Sequence, residues 1–242
     1  MERHNTTHIM NYLNVSESFY SIQGEGSTMG TPSIFLRLGG CNLLCQSDSW
    51  ICDTIDVWRN SNKVEFKDVF TPPEIFQLRS RSVHLVITGG EPMLHLSRIT
   101  SFLKWLDVAH SCRPYVEIET NGTIMPTTEL FGMVEKWNVS PKLSNSGEPK
   151  AKRRKPKVIR YFSRLGHKKV CFKFVVDCKD DVDEIFKDYM QTTLRNIYLM
   201  PAGESQEKLN ITRPIVAELC KTHAFKYSER LHVVIWDKAT GV

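Results

Sequence analysis

Apolar positions along the chain gather into short runs rich in β-branched residues that stop at glycine, and between them apolar residues recur at helical spacing. Residues 34–38 (IFLRL) lead into Gly39-Gly40 and predict a buried strand that ends in a loop. The run VHLVITGGEP (83–92) predicts another strand, halted at Gly89-Gly90. Leu96, Ile99, Phe102, Leu103 and Leu106 then mark one face of a helix. In YVEIETNG (115–122), Val116, Ile118 and Thr120 face one side while Glu117, Glu119 and Asn121 face the other, the period of a strand. Further on, the pattern predicts a helix over 128–137, a short strand over 137–141, a strand over 170–177, a helix over 181–191 and a strand and turn over 196–203. A helix in ITRPIVAELCKTH (211–223) and a last strand in RLHVVIW (230–236) follow. Alternation of strand and helix from residue 83 onward predicts parallel βα units, so the fold class is α/β. Ligands of such sheets and barrels bind in the loops that follow the strands. The cysteine-bearing GGC loop, TGGE, ETNG, SPK and MPAG all sit there, which predicts one shared active face.

A chain of 242 residues with 41% hydrophobic and 24% charged positions matches ordinary globular usage, which excludes a wholly disordered or fibrous chain. That length needs no disulfide staples and is read as one unit, residues 1–242. Its 32 Lys+Arg and 27 Asp+Glu give a net +5, but ten of the basic residues and no acidic one lie between Lys150 and Lys169. Without those ten, 22 basic residues face 27 acidic ones, a remainder of −5, so the basicity is local. Gly, Ser, Asn and two Pro among the charges of 144–157 (SNSGEPKAKRRKPK) predict a long mobile loop, and about 144–169 as a whole reads as a basic insertion. A solvated surface needs no ligand; nucleic-acid contact or partner docking through Lys150–Lys169 are the alternatives. No apolar run approaches the roughly 18 to 20 residues that span a bilayer, and MERHNTTHIMNYLNVSES lacks the apolar stretch of a secretory leader. A cytoplasmic setting with reduced thiols is expected.

Three of the seven cysteines, Cys41, Cys45 and Cys52, crowd into a C-x3-C-x6-C pattern. Three thiolates can hold three irons of a cubane cluster and leave the fourth open to an external ligand. Zinc usually takes a fourth Cys or His close by, and His84 lies 32 residues beyond Cys52. Spacing alone leaves open a zinc knuckle completed from afar, or three unconnected thiols. Cys112, Cys171, Cys178 and Cys220 are scattered and read as plain thiols, and His84 and His232, in apolar runs, read as core histidines.

The elements FYSIQGEGSTMGTPSIFLRLGGCNLLC, CDT, TGGEP, ETNG, VSPK, FKFVVD, MPAG and RLHVVIWDKATGV run in this order from about residue 15 to the end. Together they resemble the radical S-adenosylmethionine superfamily and, within it, the 7-carboxy-7-deazaguanine synthases. That family commonly carries C-x3-C-x2-C, whereas four extra residues separate Cys45 from Cys52 here; the following Asp53-Thr54 marks Cys52 as the third ligand by resemblance. A longer loop can still close on a cluster, since added length costs at most about 1 kcal/mol.

The resemblance implies an incomplete, modified (β/α) barrel of the radical S-adenosylmethionine type. It implies a [4Fe-4S] cluster on Cys41, Cys45 and Cys52, S-adenosylmethionine at Gly90, Ser140, Pro141 and Lys142, substrate at Ile22, Gln23, Gly24, Arg37 and Thr88, and Mg2+ on Thr54. Residue chemistry is compatible. Glycine lets backbone approach a ligand, Gln23 can donate and accept at a pterin edge, Arg37 can fork onto a carboxylate, and a hard cation with few protein ligands suits magnesium. Without the resemblance Gly89-Gly90 is an ordinary turn, Arg37 a strand residue facing solvent, and Thr54 a helix N-cap beside Asp53. Glu91, Glu119 and Asn121 are second-tier candidates for contact with either ligand.

The reaction implied is a lyase step from 6-carboxy-5,6,7,8-tetrahydropterin to 7-carboxy-7-deazaguanine with loss of ammonia, in queuosine-type 7-deazapurine biosynthesis. S-adenosylmethionine is cleaved and regenerated, an electron donor such as flavodoxin is needed, and a homodimer is expected, with no membrane. Two other readings stand beside it: a radical enzyme abstracting hydrogen from a protein glycine, and a zinc-dependent nucleic-acid-binding module using KAKRRKPK.

Overall fold

In the computed structural model, which describes residues 11–47, 51–52, 54–166, 168–190, 194–239 and 241, three strands come first. They are β1 (Tyr12–Ile22), β2 (Pro32–Leu38) and, after the short helix α1 (Ile55–Arg59), β3 (Asn62–Glu65). Helix α2 (Pro72–Arg79) leads into an alternating series: β4 (His84–Gly89), α3 (Leu96–His110), β5 (Tyr115–Thr120), α4 (Thr128–Met133) and β6 (Lys136–Val139). Two helices, α5 (Lys150–Arg153) and α6 (Pro156–Arg164), precede β7 (Val170–Val176). The series closes with α7 (Lys179–Asp188), β8 (Ile197–Pro201), α8 (Gln206–His223), β9 (Lys226–Tyr227) and α9 (Leu231–Trp236).

All the strands join one sheet in the order β3-β1-β2-β4-β5-β6-β7-β8-β9. β1 is antiparallel to β2 and β3, and every pair from β2 to β9 is parallel. A doubly wound sheet reverses its strand order at a switch point; the parallel part of this order, from β2 to β9, advances in one direction, as the strands of a (β/α) barrel do, with β1 and β3 added at its edge. The two edges share no ladder among the described residues, yet the turn after β1 reaches the chain beyond β9. Gly26 N–H donates to Ser228 Oγ (2.8 Å) and Leu231 N–H to the Gly24 carbonyl (2.9 Å). The fold is therefore an incomplete (β/α) barrel whose gap is bridged by a turn and side chains instead of strand pairing.

Period-two alternation sorts the strand residues. Ile34, Leu36, Ile87, Ile118, Trp137, Phe172, Phe174 and Leu199 point to the helices and belong to the apolar core. Their neighbours Arg37, Thr88, Glu119, Asn138 and Lys173 point to the concave side. Register holds these polar positions abreast, with Arg37 opposite Thr88 and Glu119 opposite Asn138.

Three expectations change. The strand expected in RLHVVIW is helix α9, because β9 ends at Tyr227 and the chain is then turned across the end of the sheet, with Arg230 Nη1 donating to the Gly203 carbonyl (2.6 Å). Tertiary contacts there override the β preference of Val and Ile. The mobile loop expected over 144–157 is instead a turn of 3-10 helix at Ser144–Ser146, then α5 and the start of α6. Its charges find partners on α7: Lys150 with Asp188 (2.5 Å) and Arg153 with Glu184 (2.7 Å), while α6 buries Val158, Ile159 and Phe162. The helix expected over 128–137 ends at Met133 and gives way to β6.

Candidate active site

The concave face and the loops beyond the strand ends enclose a cavity of about 470 Å³. Eleven of the thirteen residues that the resemblance assigns to cluster, cofactor, substrate and magnesium line it. Cys41, Cys45, Cys52 and Thr54 come from the loop after β2, Thr88 and Gly90 from the end of β4, Ser140 and Lys142 from beyond β6, and Ile22, Gly24 and Arg37 from β1, its turn and β2. Gln23 and Pro141 are buried outside the lining.

The four extra residues do not carry Cys52 away from Cys45. Gln46 and Ile51 form an antiparallel bridge and Cys52 N–H donates to the Cys45 carbonyl (3.0 Å), so the chain returns to where it left and the two cysteines stand side by side. Cys52 Sγ lies 3.5 Å from Thr54 Oγ1. Thr54 takes the N-cap position of α1 without a side-chain capping bond, so its hydroxyl turns to the cysteine loop. Its acidic neighbour Asp53 lies outside the described residues. Burial pushes the Cys41 thiol up to about 11 and raises Cys45 as well, against the nearby Lys142 ammonium. Such thiols stay protonated near neutral pH unless a metal takes them. Among the described residues no fourth cysteine lines the cavity, and a three-sulfur soft donor set opening into it fits an iron–sulfur cluster with one open iron better than a closed zinc site.

Gly90 has its own structural reason. A Cβ there would lie 2.3 Å from the Gly40 oxygen and 2.7 Å from Cys41 Cβ, so the end of β4 can lie on the cysteine loop only without a side chain. Glu91 fastens the next joint: its carboxylate accepts from Thr120 Oγ1 (2.8 Å), Asn121 N (2.7 Å) and Met93 N (3.0 Å). Burial nevertheless pushes its carboxyl up to about 7. It does not line the cavity and acts as a fastener, whereas Glu119 and Asn121 do line it. Asn121 Nδ2 donates to Asn42 Oδ1 (2.9 Å) and ties ETNG to the cysteine loop. Glu119 accepts from Thr88 Oγ1 (3.0 Å) and from Gln23 Nε2 (3.4 Å), so Gln23 reaches the site through Glu119. Arg37 is held by Glu17, Nε to Oε1 at 2.6 Å.

Glu25, Lys173, Arg230 and His232 also line the cavity, and sequence reasoning did not single them out as site residues. Against the cost of burial, the charges of Lys173, Arg230 and His232 hold the Glu25 carboxyl well below the usual carboxylate range. Glu25 pairs with Lys173 and stands 3.5 Å from Arg230 Nε. The legible signal was a lone Lys at an inward position of the apolar strand VCFKFVV. His232, expected as a core histidine in a strand, is on α9 and packs on Gly24, where a Cβ would lie 2.3 Å from its Nδ1. His84 is indeed held within the fold, Nδ1 to Glu117 Oε1 at 2.5 Å.

No family model matches the chain. It is 34% identical over 233 residues, 95% of its length and 97% of the relative, to the 7-carboxy-7-deazaguanine synthase of Pyrobaculum aerophilum. It is 31% identical to the enzyme of that name from Halobacterium salinarum, covering 94% of the chain and 91% of the relative. Among solved structures, the crystal structure of QueE from Escherichia coli superposes with a TM-score of 0.65 at 21% identity, over 96% of this chain and 100% of that one, and shares the fold.

Proposed function

The chain belongs to the 7-carboxy-7-deazaguanine synthase family, and from that premise we propose that it is a radical S-adenosylmethionine lyase of 7-deazapurine biosynthesis, contracting a carboxylated tetrahydropterin to 7-carboxy-7-deazaguanine with loss of ammonia. The observation that carries this reading is the convergence on one cavity of three thiols, a glycine-walled strand end, Ser140 and Lys142, and a polar set of Arg37, Thr88 and Glu119. Cys41, Cys45 and Cys52 would hold a [4Fe-4S] cluster, and Gly90, Ser140, Pro141 and Lys142 the S-adenosylmethionine. Together these two groups supply one-electron cleavage of a sulfonium and, through it, abstraction of hydrogen from the substrate.

The chain's own residues bind and orient. Arg37, fixed by Glu17, supplies guanidinium N–H groups for a carboxylate. Glu119, Thr88 and Gln23 form one hydrogen-bonded set able to meet the donor and acceptor edge of a pterin, with Ile22 and Gly24 beside it. Thr54, adjacent to Cys52, offers a neutral oxygen to Mg2+ that substrate oxygens and water would complete. Glu25, Lys173 and Arg230 add a fixed array of charges to the cavity wall. An external one-electron donor, such as a flavodoxin, and a homodimeric assembly complete the proposal. No helix among the described residues is long and apolar enough to cross a membrane.

Anaerobically reconstituted protein incubated with reductant, S-adenosylmethionine and 6-carboxytetrahydropterin should form a deazapurine chromophore. Cleavage of S-adenosylmethionine with no such product would overturn the substrate assignment, and stoichiometric zinc without iron or sulfide would overturn the cluster.

A further inference from the structure

The connection from β6 to β7 is longer than its topology requires. A parallel crossover needs one helix, and α6 provides it; the preceding stretch, residues 144–154, is additional, and it lies against the cysteine loop. Leu44 N–H donates to the Glu148 carboxylate, and Gln46 N–H donates to the Ser146 carbonyl (3.0 Å). The approach is close enough that a Cβ on Gly147, whose φ is +74°, would lie 2.1 Å from the Gln46 oxygen. On its other side the stretch is anchored: Arg153 Nη1 reaches the Lys142 carbonyl (3.1 Å) and the Glu184 carboxylate (2.7 Å). One short segment thus grips the loop that carries the three thiols and the backbone of the SPK motif together. Glu148 is buried and pairs with the half-exposed Lys152 at 3.0 Å. The charges of both are felt at Cys45.

We propose that residues 144–154 are a brace for the cysteine loop, in which Glu148 is a positioning residue that fixes the Leu44 amide and, with Lys152, sets the charge beside the cluster. This rests on the reading of the three thiols as cluster ligands. A buried negative charge disfavours the more negative, reduced state of a cluster, and a positive one favours it. The carboxylate also takes up an amide N–H of the ligand loop that could otherwise point to a cluster or thiolate sulfur.

The test is the midpoint potential of the reconstituted cluster, followed by its electron paramagnetic resonance signal, in Glu148→Gln and Lys152→Gln. Glutamine in place of Glu148 keeps the size and an acceptor oxygen for Leu44, and the thermal unfolding of the metal-free variant controls for folding. Glu148→Gln should shift the potential upward. Lys152→Gln should shift it downward and by less, because that ammonium is half in water and screened. An unchanged or lowered potential in Glu148→Gln, with iron and sulfide loaded as in the parent, overturns the inference while leaving the ligand reading intact. If Glu148→Gln folds but does not load, Lys152→Gln decides: a downward shift supports the brace, and none or an upward one overturns it. A parent protein that takes up no iron and sulfide overturns both.

Discussion

Among single residues, the site rests on charges that cannot be removed one at a time. Glu25 is ringed by Lys173 and Arg230, both buried, so Glu25→Gln removes the carboxylate that both cations face. Breaking a buried pair from one side costs about 3 kcal/mol or more. Urea unfolding of the metal-free protein should show that loss, and Lys173→Met added to Glu25→Gln should recover part of it. Glu91 gives a pH dependence. Its carboxyl is raised from the ordinary 4.5 to about 7 in the folded state, chiefly by burial, so the folded protein holds that proton more tightly than the unfolded chain does. Its contribution is complete below the unfolded value and disappears as pH rises through about 7, a change on the order of 3 kcal/mol. The stability difference between pH 5 and pH 8 should therefore shrink in Glu91→Gln; equal slopes for parent and variant would refute the assignment.

Among the elements, the loop after β2 and the segment before α6 show how insertions are absorbed. The excursion between Cys45 and Cys52 closes on itself through Gln46 and Ile51, so deleting Ser47 to Trp50 should leave a two-residue spacer with iron and sulfide content unchanged. The change in loop closure is worth less than about 1 kcal/mol. Loss of iron on deletion would mean that the excursion itself positions Cys52. In the α5–α6 segment the basic residues divide by direction. Arg153, buried against Glu184, should cost about 3 kcal/mol or more when changed to alanine. Lys157, Arg160 and Arg164, exposed on α6, should each change stability by about 0.5 kcal/mol or less, read from thermal or urea unfolding.

Across the whole molecule, the net +5 combines residues that brace the fold with a residual basic face on α6. Replacing Lys157, Arg160 and Arg164 together by alanine should weaken retention on an immobilised polyanion without altering iron content or turnover; a matching loss of turnover would make that face part of the reaction. Strands β4 to β8 were legible in the chain alone, because Leu85, Ile87, Ile118, Phe172 and Leu199 alternate with neighbours of the opposite face at a period that suits a strand with one side on the core, whereas the two-residue β9 was not. That Cys41, Cys45 and Cys52 are candidate ligands was legible too, from three thiols so close together in one loop, although spacing alone did not choose between a cluster, zinc and unconnected thiols. Strand β1, whose YLNVSESFYSI is mostly half-buried and interspersed with Ser, had no such pattern to declare it. Folding in three dimensions was needed to coil RLHVVIW into α9, to turn charges of 144–154 inward, and to bring Glu25, Lys173, Arg230 and His232 together in the cavity. Periodicity is local and survives in one dimension. A charge is satisfied by whichever partner the folded chain brings to it, and the partner of Glu25 is Lys173, 148 positions further along the chain.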